Sequence, residues 1–168
     1  ITAVGSEIYY GRSGFVEDVG WRMTIDRDWR SRRIREVLDD VEGLRLQAAE
    51  DQRPFKLSYF VDPQEWPGVS EVRRLLREHD LKASLIYSHE MFLDVLPYHA
   101  SKGYAVRYLK ERWGLAPNNV LVAGDSGNDV LALTAGWNAI LVGNAAADVR
   151  EEVRRQLRPV FASLRIDA

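Results

Sequence analysis

The chain contains no cysteine. That excludes disulfides and thiolate chemistry, and it leaves a cytoplasmic setting as the default. There is no long uncharged apolar run, so no membrane span is expected. The start, Ile1-Thr2-Ala3-Val4, has no basic region of the kind a signal peptide needs. Neither sign of charge dominates: 23 Lys and Arg against 25 Asp and Glu give a formal charge of −2. Such a balance provides no general attraction to nucleic acid. No internal repeat, low-complexity tract or flexible linker is found. The histidines His79, His89 and His99 show no ligand spacing and read as surface or cap residues. What remains is ordinary globular material, 168 residues with 46% apolar content. That suffices for one domain, or for one core with a modest added unit.

Apolar periodicity and turn residues divide the chain into two styles. Residues 1–4 read as a buried strand stopped at Gly5, and residues 7–10 and 21–25 as two short strands. Asp28 is placed to cap a helix running to about Val41, with Trp29, Ile34, Val37, Leu38 and Val41 on one face. Residues 44–48 and 55–61 read as strands. Pro67 and Ser70 introduce a helix through His79, and residues 82–87 and 92–96 read as a closing strand pair. This is an α+β unit spanning residues 8–96. The remainder is α/β. Ser101 caps a helix with Ala105, Leu109 and Trp113 on its apolar stripe, ended by Gly114. A strand at 120–123, a helix from Leu131, a strand at 139–142 and a last helix from about Val149 follow. Trp21, Trp29, Trp66 and Trp113 are core candidates. The basic runs at 30–33 and 73–74 are interleaved with Glu36, Asp39, Glu71 and Glu78 and read as solvated helix faces.

The most informative stretch is Val120-Leu-Val-Ala-Gly-Asp-Ser-Gly-Asn-Asp129. An apolar strand ends in a turn with two carboxylates and two glycines, and a helix follows. Asp125 and Asp129 therefore stand at the carboxyl end of a strand, where open α/β sheets place their ligands. Two carboxylates on such a turn suit a hard cation such as Mg²⁺. The alternative is a polar strand-to-helix turn in which Asp129 caps the helix and Ser126 and Asn128 merely form the turn. Upstream, Lys102 opens a helix, where the macrodipole prefers an acid. That placement favours a functional lysine over a solvated one.

Gly124-Asp-Ser-Gly-Asn-Asp129 resembles the fourth motif of the haloacid-dehalogenase-like (HAD) phosphatases, and Ala100-Ser-Lys-Gly103 resembles their third. Residues 1–11 and 96–103 resemble the cap entry and exit of the sucrose-phosphate phosphatases, which occur alone or fused to sucrose-phosphate synthase. The resemblance implies a partial HAD (Rossmann-like) α/β core, residues 1–7 and 97–168, with an inserted α+β (C2-type) cap, residues 8–96. It implies Mg²⁺ as cofactor, with Asp125 and Asp129 as metal residues and Asp129 either a direct ligand or an outer carboxylate. Lys102, Ser126 and Asn128 are implied as phosphate-binding residues, and Lys102, Asp125 and Asp129 as catalytic ones. The implied partner is a small-molecule sugar phosphate, sucrose 6-phosphate first, with a cap that chooses the sugar.

The family's nucleophile lies in a first motif, a strand ending in Asp-x-Asp, and this chain is expected to lack it along with the second motif. The chain is thus read as truncated at its N-terminus and inactive by itself. Two readings stay open: a Mg²⁺-dependent sugar-phosphate phosphatase in the parent protein, or a non-catalytic regulatory or assembly module that binds a sugar phosphate or a synthase partner domain. Losing a central strand would bare the apolar flank of residues 120–123. The expected remedies are re-pairing of strands, a homodimer, or a partner segment that supplies the missing strands.

Overall fold

The computed structural model describes residues 1–11 and 14–161, with side chains through Leu157. In chain order the elements are β1 (Tyr9–Tyr10), β2 (Val16–Glu17), α1 (Val19–Asp26), α2 (Ser31–Leu38), β3 (Leu44–Leu46), β4 (Leu57–Val61), α3 (Val69–Glu78), β5 (Ala83–Ser88), β6 (Phe92–Pro97), α4 (Lys102–Arg112), β7 (Leu121–Gly124), α5 (Val130–Leu133), β8 (Asn138–Leu141) and α6 (Ala147–Phe161). The architecture is mixed α/β. β1 and β2 form a small antiparallel pair, β3-β4-β6-β5 an antiparallel sheet, and β7-β8 a parallel pair. The last seven residues, 162–168, which the sequence reading assigned to the core, lie outside the described part. Among the described residues no helix is long and apolar enough to cross a membrane.

The four-stranded sheet shows why its sequence alternates. Leu57, Tyr59 and Val61 of β4 and Leu93 and Val95 of β6 share one buried cluster with Ile34 and Leu38 of α2 and Val72 and Leu76 of α3. Each such side chain contributes about 1.5–3 kcal/mol by leaving water. The residues between them form the other face. There Arg45 stands opposite Phe60, Phe60 opposite Phe92, and Ser58 opposite Asp94. The Arg45 guanidinium lies 4.6 Å from the centre of the Phe60 ring.

Several expectations need correction. Residues 1–4 are not a strand: Gly5 N–H donates to the Thr2 carbonyl at 2.9 Å and Ser6 N–H to the Ala3 carbonyl at 3.1 Å, closing a tight 3-10 turn. A strand needs a ladder partner, and here those backbone groups bond locally instead. Residues 21–25 are helical. Asp18 accepts the Trp21 N–H at 2.9 Å as an N-cap, and Trp21 and Ile25, four apart, bury one helix face. Asp28 caps nothing, because α2 begins at Ser31 after Arg30. Trp113 is 55% exposed, not core, since α4 ends before it at Arg112; its ring centre lies 6.5 Å from that of Tyr10. The sequence does hold one Asp-x-Asp, Asp26-Arg27-Asp28. It falls at the end of helix α1 and both acids are exposed, with Asp28 3.7 Å from Lys82, so no strand presents it as a motif.

The parallel pair β7-β8 is covered on one side, where Val122 and Leu141 pack on Val130, Leu133, Val149 and Val153. Its other side is open, with Leu121 64% and Ile140 48% exposed. Among the described residues β7 pairs only with β8, so no other strand of the chain has closed its second edge.

Candidate active site

Three elements converge at the carboxyl end of β7. The first is the acidic turn itself. Ser126 begins a 3-10 turn, residues Gly127–Asp129, that runs into α5. Ser126 and Asp129 form a reciprocal capping box. The Asp129 Oδ2 accepts the Ser126 hydroxyl at 2.9 Å and the backbone N–H groups of Asp125 and Ser126, each at 3.2 Å. The second element is α4, capped by Ser101, whose Oγ accepts the Tyr104 N–H at 3.2 Å. Lys102, the first residue of α4, reaches across to the turn. Its Nζ donates to Asp129 Oδ1 at 2.6 Å and to Asn128 Oδ1 at 2.7 Å. The third is the loop after β8, where Asn144 Nδ2 donates to Asp125 Oδ2 at 2.9 Å.

Close backbone approach makes this convergence possible. A Cβ on Gly124 would stand 2.4 Å from the Asp129 Cβ, and one on Gly103 would stand 2.8 Å from the Leu131 carbonyl oxygen. Gly5 (φ 105°) lies against the other side of the α4 start, where a Cβ would meet the Lys102 nitrogen at 2.3 Å. These glycines let α4, the turn and the N-terminal loop meet without side chains between them.

The electrostatics follow from the contacts. Burial alone would raise the Asp129 carboxyl, yet the hydrogen bonds from Lys102 and Ser126 outweigh it and hold the group below its ordinary range. Both its oxygens are therefore committed, one to Lys102 and the other to three donors. Asp125 differs: it is half-buried, and Asn144 occupies one of its oxygens. Mg²⁺ keeps several waters and is usually held by one or two carboxylates plus phosphate, so the Asp125 carboxylate at a strand end fits it. Among the described residues no group of three or more His, Cys, Asp or Glu side chains is placed to hold a metal.

Of the residues singled out by sequence, Lys102, Ser126, Asn128 and Asp129 are brought into one network. Asp125 stands beside them and is oriented by Asn144, which sequence reading missed. Its signal was available: Gly143-Asn144 closely follows β8, a strand parallel to β7, and so emerges at the same end of the pair. A second missed cluster lies on the sheet face opposite helices α2 and α3, with Ser58 itself buried. Lys56 Nζ donates to Asp94 Oδ1 at 3.1 Å, Ser58 Oγ donates to the same oxygen at 2.7 Å, and Lys56 also contacts Ser58. The lysine and aspartate side chains are only 15% and 18% exposed. The outer end of β5 reaches the acidic turn, where a Cβ on Gly127 would stand 3.6 Å from the Tyr87 carbonyl oxygen.

Comparison with known proteins identifies the family. The family model described as sucrose-6F-phosphate phosphohydrolase matches residues 1–166. Sucrose-phosphatase 2 of Nicotiana tabacum is 38% identical over 133 residues, which cover 77% of this chain and 31% of that protein. The X-ray structure of the sucrose-phosphatase from Synechocystis sp. PCC6803, solved in complex with sucrose and phosphate, superposes with a TM-score of 0.80 at 33% identity, covering 89% of this chain and 60% of that one. A Thermoplasma acidophilum protein shares the fold alone, with a TM-score of 0.61 at 17% identity over 94% of this chain and 68% of that one. The chain thus spans about a third of the length of the tobacco protein it matches. By the match over nearly its whole length, it belongs to the sucrose-6F-phosphate phosphohydrolase family of HAD-like phosphatases.

Proposed function

We propose that this chain provides the phosphate-holding lysine, one metal carboxylate and the sugar-facing cap of a Mg²⁺-dependent phosphatase acting on a sugar phosphate, sucrose 6-phosphate first. The observation that carries the reading is the Lys102–Asp129–Asn128 network beside Asp125 at the end of β7. A phosphate monoester is a dianion that repels an attacking carboxylate. Lys102 sets a compact positive charge against the phosphoryl oxygens and steadies the charge that builds there. Asp129 and Asn128 fix the ammonium, so little reorganisation is needed when phosphate arrives. Asp125 would hold Mg²⁺, which when bound supplies further positive charge to the phosphate. Asp129, with both oxygens engaged, serves as the outer carboxylate and not as a ligand.

Residues 8–96 act as the cap in this reading. The Lys56–Ser58–Asp94 cluster offers donors and an acceptor to sugar hydroxyls. The Phe60 and Phe92 rings, 5.8 Å apart, offer an apolar wall beside it. Closing this face over the acidic turn would exclude water from the reacting phosphate.

Neither carboxylate of the turn is free to attack phosphorus, since Asp129 is saturated and Asp125 is assigned to the metal. The 168-residue chain alone is therefore expected to bind sucrose 6-phosphate without hydrolysing it. Among the described residues no third carboxylate completes a metal-holding group with these two, which supports a second reading, a sugar-phosphate-binding module without catalysis. Calorimetric binding of sucrose 6-phosphate with Mg²⁺ and assay of inorganic phosphate test both, using the chain and its Lys102→Ala and Asp125→Ala variants. Binding weakened about tenfold by Lys102→Ala, with no phosphate released, is the expected result. Absence of binding would sink the sugar-phosphate reading. Release abolished by Asp125→Ala would show that a carboxylate of this chain is the nucleophile.

A further inference from the structure

We infer that the cleft between α3 and the crossover leading to Lys102 is a second anion site, which takes the monophosphate of a small sugar or polyol. α3 carries Arg73 and Arg77 one turn apart, so both guanidiniums lie on one side of the helix. Like charges at this spacing repel. Arg74 is held by Glu71 and Glu78. Among the described residues Arg73 and Arg77 have no carboxylate within 4.0 Å. Both line a cavity of about 500 Å³.

The lining selects the ligand. Leu76, Leu81 and Ala83 contribute apolar surface, and Tyr98, which is 52% exposed, contributes a ring. The planar fork of arginine matches a phosphate group, and two forks can hold one dianion. Asp28 and Asp80 line the same cavity. Asp28 stands 3.7 Å from Lys82, which leaves the arginines as the cations without an acid partner. The two carboxylates accept hydroxyl protons and repel a second anionic group, so a hydroxylated monophosphate fits where a bisphosphate does not.

The position gives the site a consequence. Tyr98 and His99 line the cleft and belong to the segment between β6 and α4. The His99 ring meets Tyr98 edge-on at 4.7 Å and Tyr104 of α4 at 5.4 Å. The Tyr104 N–H in turn bonds the Ser101 cap beside Lys102. An occupant of the cleft therefore touches the segment that sets the start of α4, while sharing no residue with the acidic turn. The assignment does not depend on the phosphatase reading.

The test is titration of the ¹⁵N-labelled chain with glucose 6-phosphate, and separately with inorganic phosphate, followed by amide shifts. Saturable shifts in residues 76–83 and 97–99 are expected, retained in Arg74→Ala and Lys102→Ala. Arg73→Ala/Arg77→Ala should weaken the affinity read from these shifts about tenfold or more. Shifts confined to residues 101–103 and 124–129, no saturable change in the cleft, or unchanged affinity in the double variant would overturn the assignment. So would inorganic phosphate binding the cleft as tightly as the ester.

Discussion

The Lys102–Asp129 pair lends itself to a double-mutant cycle with Lys102→Met and Asp129→Asn. The Nζ–Oδ1 distance is 2.6 Å, and the side chains are 34% and 9% exposed. Breaking a fully buried pair costs about 3–5 kcal/mol, because it strands a charge away from water. A surface pair contributes about 0.2–1 kcal/mol. The exposed share of Lys102 places this pair between those limits, at a coupling of about 1–2 kcal/mol. Asp129→Asn alone should cost about 2 kcal/mol, since it also weakens the capping box. Urea unfolding of the four proteins gives the coupling directly. Additivity within about 0.5 kcal/mol would refute the claim that the pair is an energetic unit.

The same pair has a pH signature whose sign is fixed. The native Asp129 carboxyl sits below its ordinary range: burial would raise it, but Lys102 and Ser126 hold it down. A carboxyl depressed on folding contributes stability above its unfolded pKa, about 3.9, and loses that contribution as pH falls through the native value. The difference between wild type and Asp129→Asn should therefore be full at neutral pH and shrink in acid, below about pH 4. In Lys102→Met burial is left unopposed by the ammonium, so the loss should begin at higher pH. Unfolding curves at neutral and acid pH measure both, and a wild-type difference that does not change with pH would refute the assigned cause.

Asn144→Ala should leave the fold intact and free the Asp125 carboxylate to rotate, lowering Mg²⁺ affinity about 10–100-fold by calorimetry; unchanged affinity would remove Asn144 from the site. The Tyr59 hydroxyl is buried with no hydrogen-bond partner among the described residues, and burial raises its pKa. Tyr59→Phe removes an unsatisfied group and should stabilise the chain by about 1 kcal/mol in urea, whereas a loss of that size would reveal a hidden partner. The open side and edge of β7 should make the 168-residue chain self-associate. Light scattering should show a dimer that Leu121→Lys/Ile140→Lys turns monomeric, and a wild-type monomer at high concentration would refute the association.

How far the sequence could be read depended on where each feature's partners lie. The acidic turn was legible because its strand, turn residues and capping pair occupy ten contiguous positions. Ser101 was legible as a cap for the same reason. The sheet strands emerged from their alternation, and the residue 1–4 strand failed because four apolar residues say nothing about whether a ladder partner exists. Asp18 shows the opposite limit. It is 3% exposed and accepts bonds from Tyr10, Trp21, Tyr108 and Arg112, and the last two are 90 and 94 residues away. Only its cap of α1 was local, and the alternation of Trp21, Met23 and Ile25 disguised even that. Lys56, Ser58 and Asp94 had a visible signal, polar residues inside apolar strands, but their meeting depends on the β4–β6 register.

The charge arrangement at α4 explains why Lys102 is placed against helix preference. The start of a helix carries partial positive charge, and a lysine there adds to it. In a protein with no anion to bind, that is a small cost without return. Here Asp129 offsets it, and Asp129 is itself tied into the acidic turn by Ser126 and two backbone N–H groups. The lysine is thus held extended toward the strand end instead of folding back into solvent. In the proposed reading, a phosphate arriving there would meet the ammonium and the helix N-terminus together. Removing Asp129 should then do more harm than its own charge implies, since in the proposed reading a carboxylate that by itself opposes an anion keeps the cation in position to receive one.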